Sequence, residues 1–141
     1  MGSGPFPTSS IFLASLTRCH IDCLDLDSNA VQTSKNIINL LRLNDQIRVL
    51  EARGEEWDLS GYTIVIVGIL ANPALDIIQN IIRTGMTNAR IVVRTTFGLR
   101  QLIYPPKHLC LPGLEQIRVD VASGDQVISP ILLRRNRGGR E

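Results

Sequence analysis

MGSGPFPTSSIFLASLTRCHIDCLDLDSNA, residues 1–30, holds the reading on which the fold turns. Gly2 and Gly4 make a glycine-rich turn with Pro5 and Pro7. Thr8-Ser9-Ser10 then offers N-cap chemistry to a helix that continues through Ile11, Phe12, Ala14 and Ser15 at helical spacing. A short strand follows, His20–Leu26, with Ile21, Cys23 and Leu24 among its apolar members, and it ends in Asp25 and Asp27. This order matches the way an open α/β sheet builds a nucleotide site, because ligands bind beyond the C-terminal ends of such strands. A glycine turn of this kind ordinarily follows a strand. The chain is therefore expected to be the C-terminal part of a longer protein whose first strand is truncated.

Outward from there the alternation is regular. Ser28 is expected to cap a helix running to about Leu43, with Ala30, Ser34, Ile37, Ile38 and Leu41 on one face. Gln46–Glu51 reads as the next strand, and Tyr62–Ile69, a nearly continuous β-branched run, as a central strand buried on both faces. Pro73 opens a helix through about Arg83, and Ala89–Thr95 is another strand. Phe97–Tyr104 reads as a short helix before Pro105-Pro106. Glu115–Val121 and Gln126–Leu133 are two strands joined by the turn Ala122-Ser123-Gly124-Asp125.

Strands alternating with helices imply parallel pairing through right-handed crossovers, and the closing hairpin adds antiparallel pairing. The fold class predicted is α/β: a doubly wound, mostly parallel sheet of the class I S-adenosylmethionine methyltransferase type with a C-terminal antiparallel hairpin. Residues 1–133 form this domain. The tail from Arg134 to Glu141, with four arginines in eight residues, reads as a solvated, frayed end.

Composition narrows the function. The 141 residues, 44% hydrophobic and 20% charged, suit one domain with a core. A formal net charge of +2 creates no field that demands nucleic acid or an anionic membrane as partner. The longest apolar stretch, Thr63–Ala71, has nine residues, short of the roughly 20 that span a bilayer. Three cysteines, Cys19, Cys23 and Cys110, lack CxxC spacing and read as reduced thiols of a cytoplasmic protein. No His/Cys cluster has metal-ligand spacing. His20, at the start of a strand, reads as structural.

The glycine turn and Asp25 form the candidate nucleotide site. Gly2 and Gly4 let the backbone pass close to a ligand, and free N–H groups at the following helix start favour a carboxylate or phosphate. Asp25 stands 21 residues after Gly4, the spacing of a carboxylate that accepts from both ribose hydroxyls. Asp27 reads as a cap or a surface charge. The turn is GSGPFP and not GxGxxG, so prolines replace the third glycine that helps a dinucleotide's pyrophosphate approach. That favours S-adenosylmethionine over NAD.

GSGPFPTSSI (Gly2–Ile11), LDLDSNA (Leu24–Ala30) and VRTTFGLRQLIYPP (Val93–Pro106) together resemble the nicotianamine synthase family, including its archaeal and bacterial relatives. The resemblance continues through ILANP (Ile69–Pro73) and ASGDQVISPILL (Ala122–Leu133). It implies the Rossmann-type half of a protein that also carries an N-terminal helical domain. It implies, too, an enzyme that uses S-adenosylmethionine as co-substrate, moves its 3-amino-3-carboxypropyl group to an amine and releases methylthioadenosine. The metal is then held by the small-molecule product and not by the protein.

Carried over by motif, Gly2, Ser3, Gly4 and Pro5 cradle the donor's amino-acid end, Asp25 its ribose, and Ala52 and Arg53 its adenine. Arg53 departs from the pattern, since family members usually place an acidic residue there and a guanidinium cannot accept a hydrogen bond. Backbone groups or Glu55 are the substitutes, with Glu56 and Trp57 also near. Ile69, Leu70 and Ala71 would face the sulfonium or pack the core. Arg94, Thr95, Thr96 and Arg100 are candidates for holding a substrate carboxylate, and Tyr104 for lining the acceptor pocket.

Two other classes of function compete with this one: an ordinary S-adenosylmethionine-dependent methyltransferase, and a non-catalytic module that binds a nucleotide or docks a partner. The expected partner is a small-molecule amine acceptor. An exposed sheet edge is expected to bring about self-association.

Overall fold

The computed structural model describes residues 1–95, 113–119 and 129–135. The expected helix at 97–104, the hairpin turn at 122–125, and Thr96, Arg100, Tyr104, His108 and Cys110 lie outside these residues. The chain divides into two compact units, Met1–Trp57 and Asp58–Glu141.

In the first unit, helix α1 (Thr8–Leu16) and strand β1 (Ile21–Asp25) are followed by helix α2 (Ser28–Leu40) and strand β2 (Ile47–Glu51). The two strands pair in parallel, Ile21 opposite Ile47 and Asp25 opposite Glu51. Period-two alternation in β2 sends Ile47 and Val49 inward and Arg48 outward. Arg48 then meets its register partner Asp22, Nε to Oδ1 at 2.9 Å and Nη2 to Oδ2 at 2.6 Å. Ala14, Cys23, Val31, Ile38, Ile47 and Val49 form the core, with Ile11, Ile21 and Leu43 packed against it. Burial raises the pKa of the Cys23 thiol, so it behaves as a small apolar residue.

Both helix starts differ from expectation. Pro7, not the Thr-Ser-Ser run, precedes α1, and no side chain caps it. The N–H groups of Ser10 and Ile11 bond instead to the Pro7 carbonyl, each at 3.0 Å. At α2 the cap is Asp27, whose Oδ1 accepts from the Asn29 N–H at 2.9 Å, and Ser28 is the first helical residue.

The end of α2 is also earlier than Leu43. Arg42 takes a φ of 56°, the left-handed conformation. Its N–H donates to the Asn39 carbonyl, and that of Leu43 to the Ile38 carbonyl, both at 3.0 Å. This is the double-bonded helix stop that glycine usually forms. The inward face is therefore Ala30, Val31, Ser34 and Ile38, and Leu41 is left exposed.

The second unit contains β3 (Ile64–Val67), α3 (Ala74–Thr84), β4 (Arg90–Thr95), β5 (Leu114–Val119) and β6 (Ser129–Arg135). Its sheet runs β3-β4-β6-β5, with β3 and β4 parallel and β6 antiparallel to both β4 and β5. Both hairpin strands are present with different bounds from those expected: β5 begins at Leu114, and β6 runs on through Arg134 and Arg135, beyond the expected end at Leu133. Arg134 pairs with Glu115 at 2.9 Å, and Arg135 donates to the Gly85 carbonyl at 2.8 Å.

Strand β3 is shorter than the apolar run that contains it. It lies at one end of the sheet order, and only Val65 and Val67 enter the core, while Ile64 is 55% exposed. Apolar residues alone did not distinguish a central strand from a terminal one. Helix α3 buries Ile77, Ile78 and Ile81, and Gly85 ends it. A Cβ at Gly85 would lie 2.6 Å from the Ile81 carbonyl oxygen, so the close turn requires glycine. No helix among the described residues is long and apolar enough to cross a membrane.

Arg42→Gly removes the left-handed strain without touching the core. We expect stabilisation by about 0.5–1 kcal/mol, read from the urea midpoint at unchanged slope.

Candidate functional site

Alternate carbonyls of a strand point to opposite edges, and the end of β1 uses both. The Leu24 carbonyl accepts from the Ser3 N–H at 3.2 Å, and the Asp25 carbonyl from the Ala52 N–H at 3.0 Å. The glycine turn and the exit of β2 therefore flank the end of β1, with Asp25 between them. Gly2 and Gly4 hold φ values of 64° and 69°, which L side chains adopt only at a cost. Nothing lies within 4 Å of where a Cβ on Gly4 would be. Conformation rather than crowding demands glycine there, and the space beside it is open.

Asp25 organises this turn. Its Oδ2 accepts from the Gly4 N–H at 2.7 Å, and its Oδ1 from the Asp27 N–H at 3.1 Å. These bonds fix the carboxylate in the plane between loop and strand end. A carboxylate has about four acceptor positions, so one remains on each oxygen for a ligand. Two adjacent hydroxyl donors are the natural complement. The Asp27 N–H contribution escaped the sequence reading, although Asp-x-Asp spacing is the signal for such a local turn.

The main-chain donors are less free than expected. The N–H groups of Ser3 and Gly4 are engaged as described, and those of Thr8, Ser10 and Ile11 bond to the Phe6 and Pro7 carbonyls. Ser3 Oγ, which is buried and has no partner, is a further donor in the turn. Pro5 is exposed at the rim.

Past β2, Arg53 turns its guanidinium to Glu55, Nη1 to Oε1 at 2.9 Å. Arg53 is 58% exposed and the Glu55 side chain only 14%. Glu55 Oε2 is buried and accepts nothing. Leaving such an acceptor unsatisfied costs about 1–3 kcal/mol, more for a charged group, so a donor from outside the chain is favoured. Ser3 Oγ and Glu55 Oε2 are thus buried polar atoms without a partner on either side of Asp25, as is Ser34 Oγ on the inward face of α2. Glu56 is exposed and Trp57 half-buried.

In the second unit, Ile69 and Leu70 belong to the turn after β3 rather than to the strand itself. The Ala71 N–H closes that turn on the Gly68 carbonyl at 3.2 Å. Leu70 is 73% exposed, whereas Ala71 is buried. Arg94 and Thr95 end β4, opposite Pro130 and Ser129. Thr95 is fully buried and Arg94 half-buried. His20 is exposed and immediately precedes β1.

Helices and strands in this order, with a carboxylate at a strand end bonded to a glycine turn, define the fold of S-adenosylmethionine-dependent methyltransferases. Mitomycin 7-O-methyltransferase MmcR superposes with a TM-score of 0.78 at 13% identity, over 96% of this chain and 47% of that one. A mutant of MtNAS in complex with S-adenosylmethionine superposes with a TM-score of 0.86 at 24% identity, over 95% of this chain and 52% of that one.

The particular family follows from the sequence. The model of the nicotianamine synthase protein family matches residues 1–138, and the chain belongs to that family. It is 26% identical to nicotianamine synthase 9 of Hordeum vulgare over 96% of this chain and 43% of the relative. It is 25% identical to nicotianamine synthase 2 of Arabidopsis thaliana over 99% of this chain and 46% of the relative. The chain thus spans somewhat under half the length of these curated relatives.

Gly4→Ala forces a Cβ into the left-handed region without a steric clash. We expect a loss of about 1–2 kcal/mol in chemical denaturation.

Proposed function

We propose that this chain supplies the donor-binding part of a nicotianamine synthase, a cytoplasmic enzyme that builds a metal-chelating small molecule from S-adenosylmethionine. The observation that carries the reading is the 2.7 Å bond from the Gly4 N–H to Asp25 Oδ2, which leaves one acceptor position free on each carboxylate oxygen. In this reading Asp25 accepts from both ribose hydroxyls. The amino-acid arm lies along the open side of Gly4, with Ser3 Oγ donating to its carboxylate and Gly2 and Pro5 shaping the turn. The base lies toward Ala52 and Arg53.

The reaction is displacement at a carbon bonded to the sulfonium. An amine lone pair forms the new C–N bond as the C–S bond breaks; the electron pair returns to sulfur, neutral methylthioadenosine leaves, and the nitrogen gives up a proton. Three carbons flank that sulfur, so geometry selects the aminocarboxypropyl carbon over the methyl. Ile69 and Leu70 are assigned to the sulfonium region, which the exposure of Leu70 supports. Arg94, Thr95 and Arg100 are assigned to the acceptor's carboxylate, and Tyr104 to the acceptor pocket. The acceptor is an amine, either an amino acid or a second unit derived from the donor. Self-association belongs to the same reading; Phe12 and Leu16, one turn apart on α1 and 63% and 65% exposed, supply apolar surface for it.

Calorimetry with S-adenosylmethionine and mass spectrometry of the products, turnover being read on the full-length protein because these 141 residues alone are not expected to be active, test the assignment. We expect binding that weakens about 10- to 100-fold in Asp25→Asn, and methylthioadenosine as the product. S-adenosylhomocysteine would instead indicate methyl transfer, binding without turnover a non-catalytic module, and absence of binding would defeat the reading. Sedimentation velocity should show a dimer or larger species, and a monomer at all concentrations would refute self-association.

A further inference from the structure

We propose that Gln46 is a positioning residue for donor binding: by holding the end of α1, it sets where the glycine turn at the other end of that helix stands against Asp25. The inference rests on the reading that S-adenosylmethionine binds at this turn.

Gln46 stands where the ends of α1 and α2 meet the starts of β1 and β2. Its N–H donates to the Leu43 carbonyl, just past α2, at 3.0 Å. Its own carbonyl accepts at 2.9 Å from the N–H of Ile21, the first residue of β1, and β2 begins at the next position, Ile47. The side chain goes to α1: Nε2 donates to the Thr17 carbonyl at 2.7 Å and to the Ala14 carbonyl at 3.2 Å. The last carbonyls of a helix have no partner within it, and an amide with two protons suits two of them.

The rest of α1 is lightly held. No side chain caps its start, Ala14 is its one buried residue, and Phe12 and Leu16 point their apolar surface outward. Ile11 packs against the core, and such apolar contact is non-directional. The directional bonds that tie the segment to β1 and β2 lie toward its two ends. At the start these are the Ser3 N–H to the Leu24 carbonyl and the Gly4 N–H to Asp25 Oδ2; at the end they are those of Gln46. Nine helical residues rise about 14 Å and five strand residues about 17 Å, so α1 spans β1 as a strut. Releasing one end of a strut lets the other move.

The part of the ligand that depends on this is the part beside the turn. In the proposed arrangement the amino-acid arm follows Ser3 and Gly4. The sugar depends on Asp25, which the Asp27 N–H and the β1–β2 ladder also hold. 5′-Methylthioadenosine keeps the sugar and base and lacks the arm. A displaced turn therefore weakens S-adenosylmethionine more than 5′-methylthioadenosine.

Calorimetry on the 141-residue chain measures both ligands in the wild type, Gln46→Ala, Gln46→Glu and Gln46→Lys. We expect the affinity for S-adenosylmethionine relative to 5′-methylthioadenosine to fall about 3- to 10-fold in Gln46→Ala. Gln46→Glu keeps the shape but turns acceptors and a negative charge toward the helix C-terminus, so its ratio should fall at least as far. Gln46→Lys, a donor again, should restore part of it. Hydrogen exchange supplies a second readout. In Gln46→Glu the Gly4 N–H should exchange faster, while the Ala52 N–H, bonded to the Asp25 carbonyl, keeps its wild-type rate.

Equal weakening of both ligands, or a ratio unchanged in Gln46→Ala and Gln46→Glu, would reduce Gln46 to a helix cap and overturn the proposal while leaving donor binding intact. Equal acceleration of exchange at Gly4 and Ala52 would do the same, since it marks general loosening. If the wild type binds neither ligand, the underlying reading fails, and the role of Gln46 in donor binding fails with it.

Discussion

The bond between the Gly4 N–H and the Asp25 carboxylate, 2.7 Å long, is the constraint from which the candidate site follows. It joins residues 21 positions apart and brings the glycine turn to the end of β1. The backbone contributes a second tie, from the Ser3 N–H to the Leu24 carbonyl. A charge-assisted bond to a main-chain N–H is shorter and stronger than a neutral one, and here it requires a residue that tolerates a φ of 69°. Glycine and aspartate are therefore matched: one provides the conformation, the other the charge that uses it.

Beyond that tie, the first unit relies on ordinary packing. Apolar residues from α1, α2, β1 and β2 close a single core, while Asp22 and Arg48 pair across the outward side of the sheet. The second unit has its own core and a mixed sheet, in which β6 runs antiparallel between β4 and β5. Antiparallel insertion of this kind puts a hairpin against a parallel pair without another crossover helix. It also turns two arginines that looked like the beginning of a tail into strand residues, because Glu115 and the Gly85 carbonyl offer them partners.

Order and type of the described elements were legible from hydrophobic period, and so was Asp25, from its distance to the glycines. Boundaries were not. The stop of α2 at Arg42 is invisible to a search for glycine, because the left-handed residue there is an arginine. The run Tyr62–Ile69 says that the region is apolar but not how many neighbours its strand will have, and four residues of it became β3. At the site, the glycine turn and Asp25 were readable, whereas the engagement of the N–H groups of Thr8, Ser10 and Ile11 was not. Those bonds depend on how the proline-containing turn folds back on itself. The Arg53–Glu55 pair likewise depends on a turn that brings residues two apart together, which neither charge pattern nor spacing specifies.

The double tie at Asp25 bears on how a ligand would be recognised. Because loop and strand end are already joined through this carboxylate, much of the ordering a ligand would otherwise impose is complete before it arrives. Such preorganisation couples the two events: whatever strengthens the loop's hold on Asp25 also presents its remaining lone pairs in a fixed direction, and whatever loosens it lowers affinity without touching the ligand. A change in either the turn or the acid therefore alters the loop's tether and the ligand's contact together.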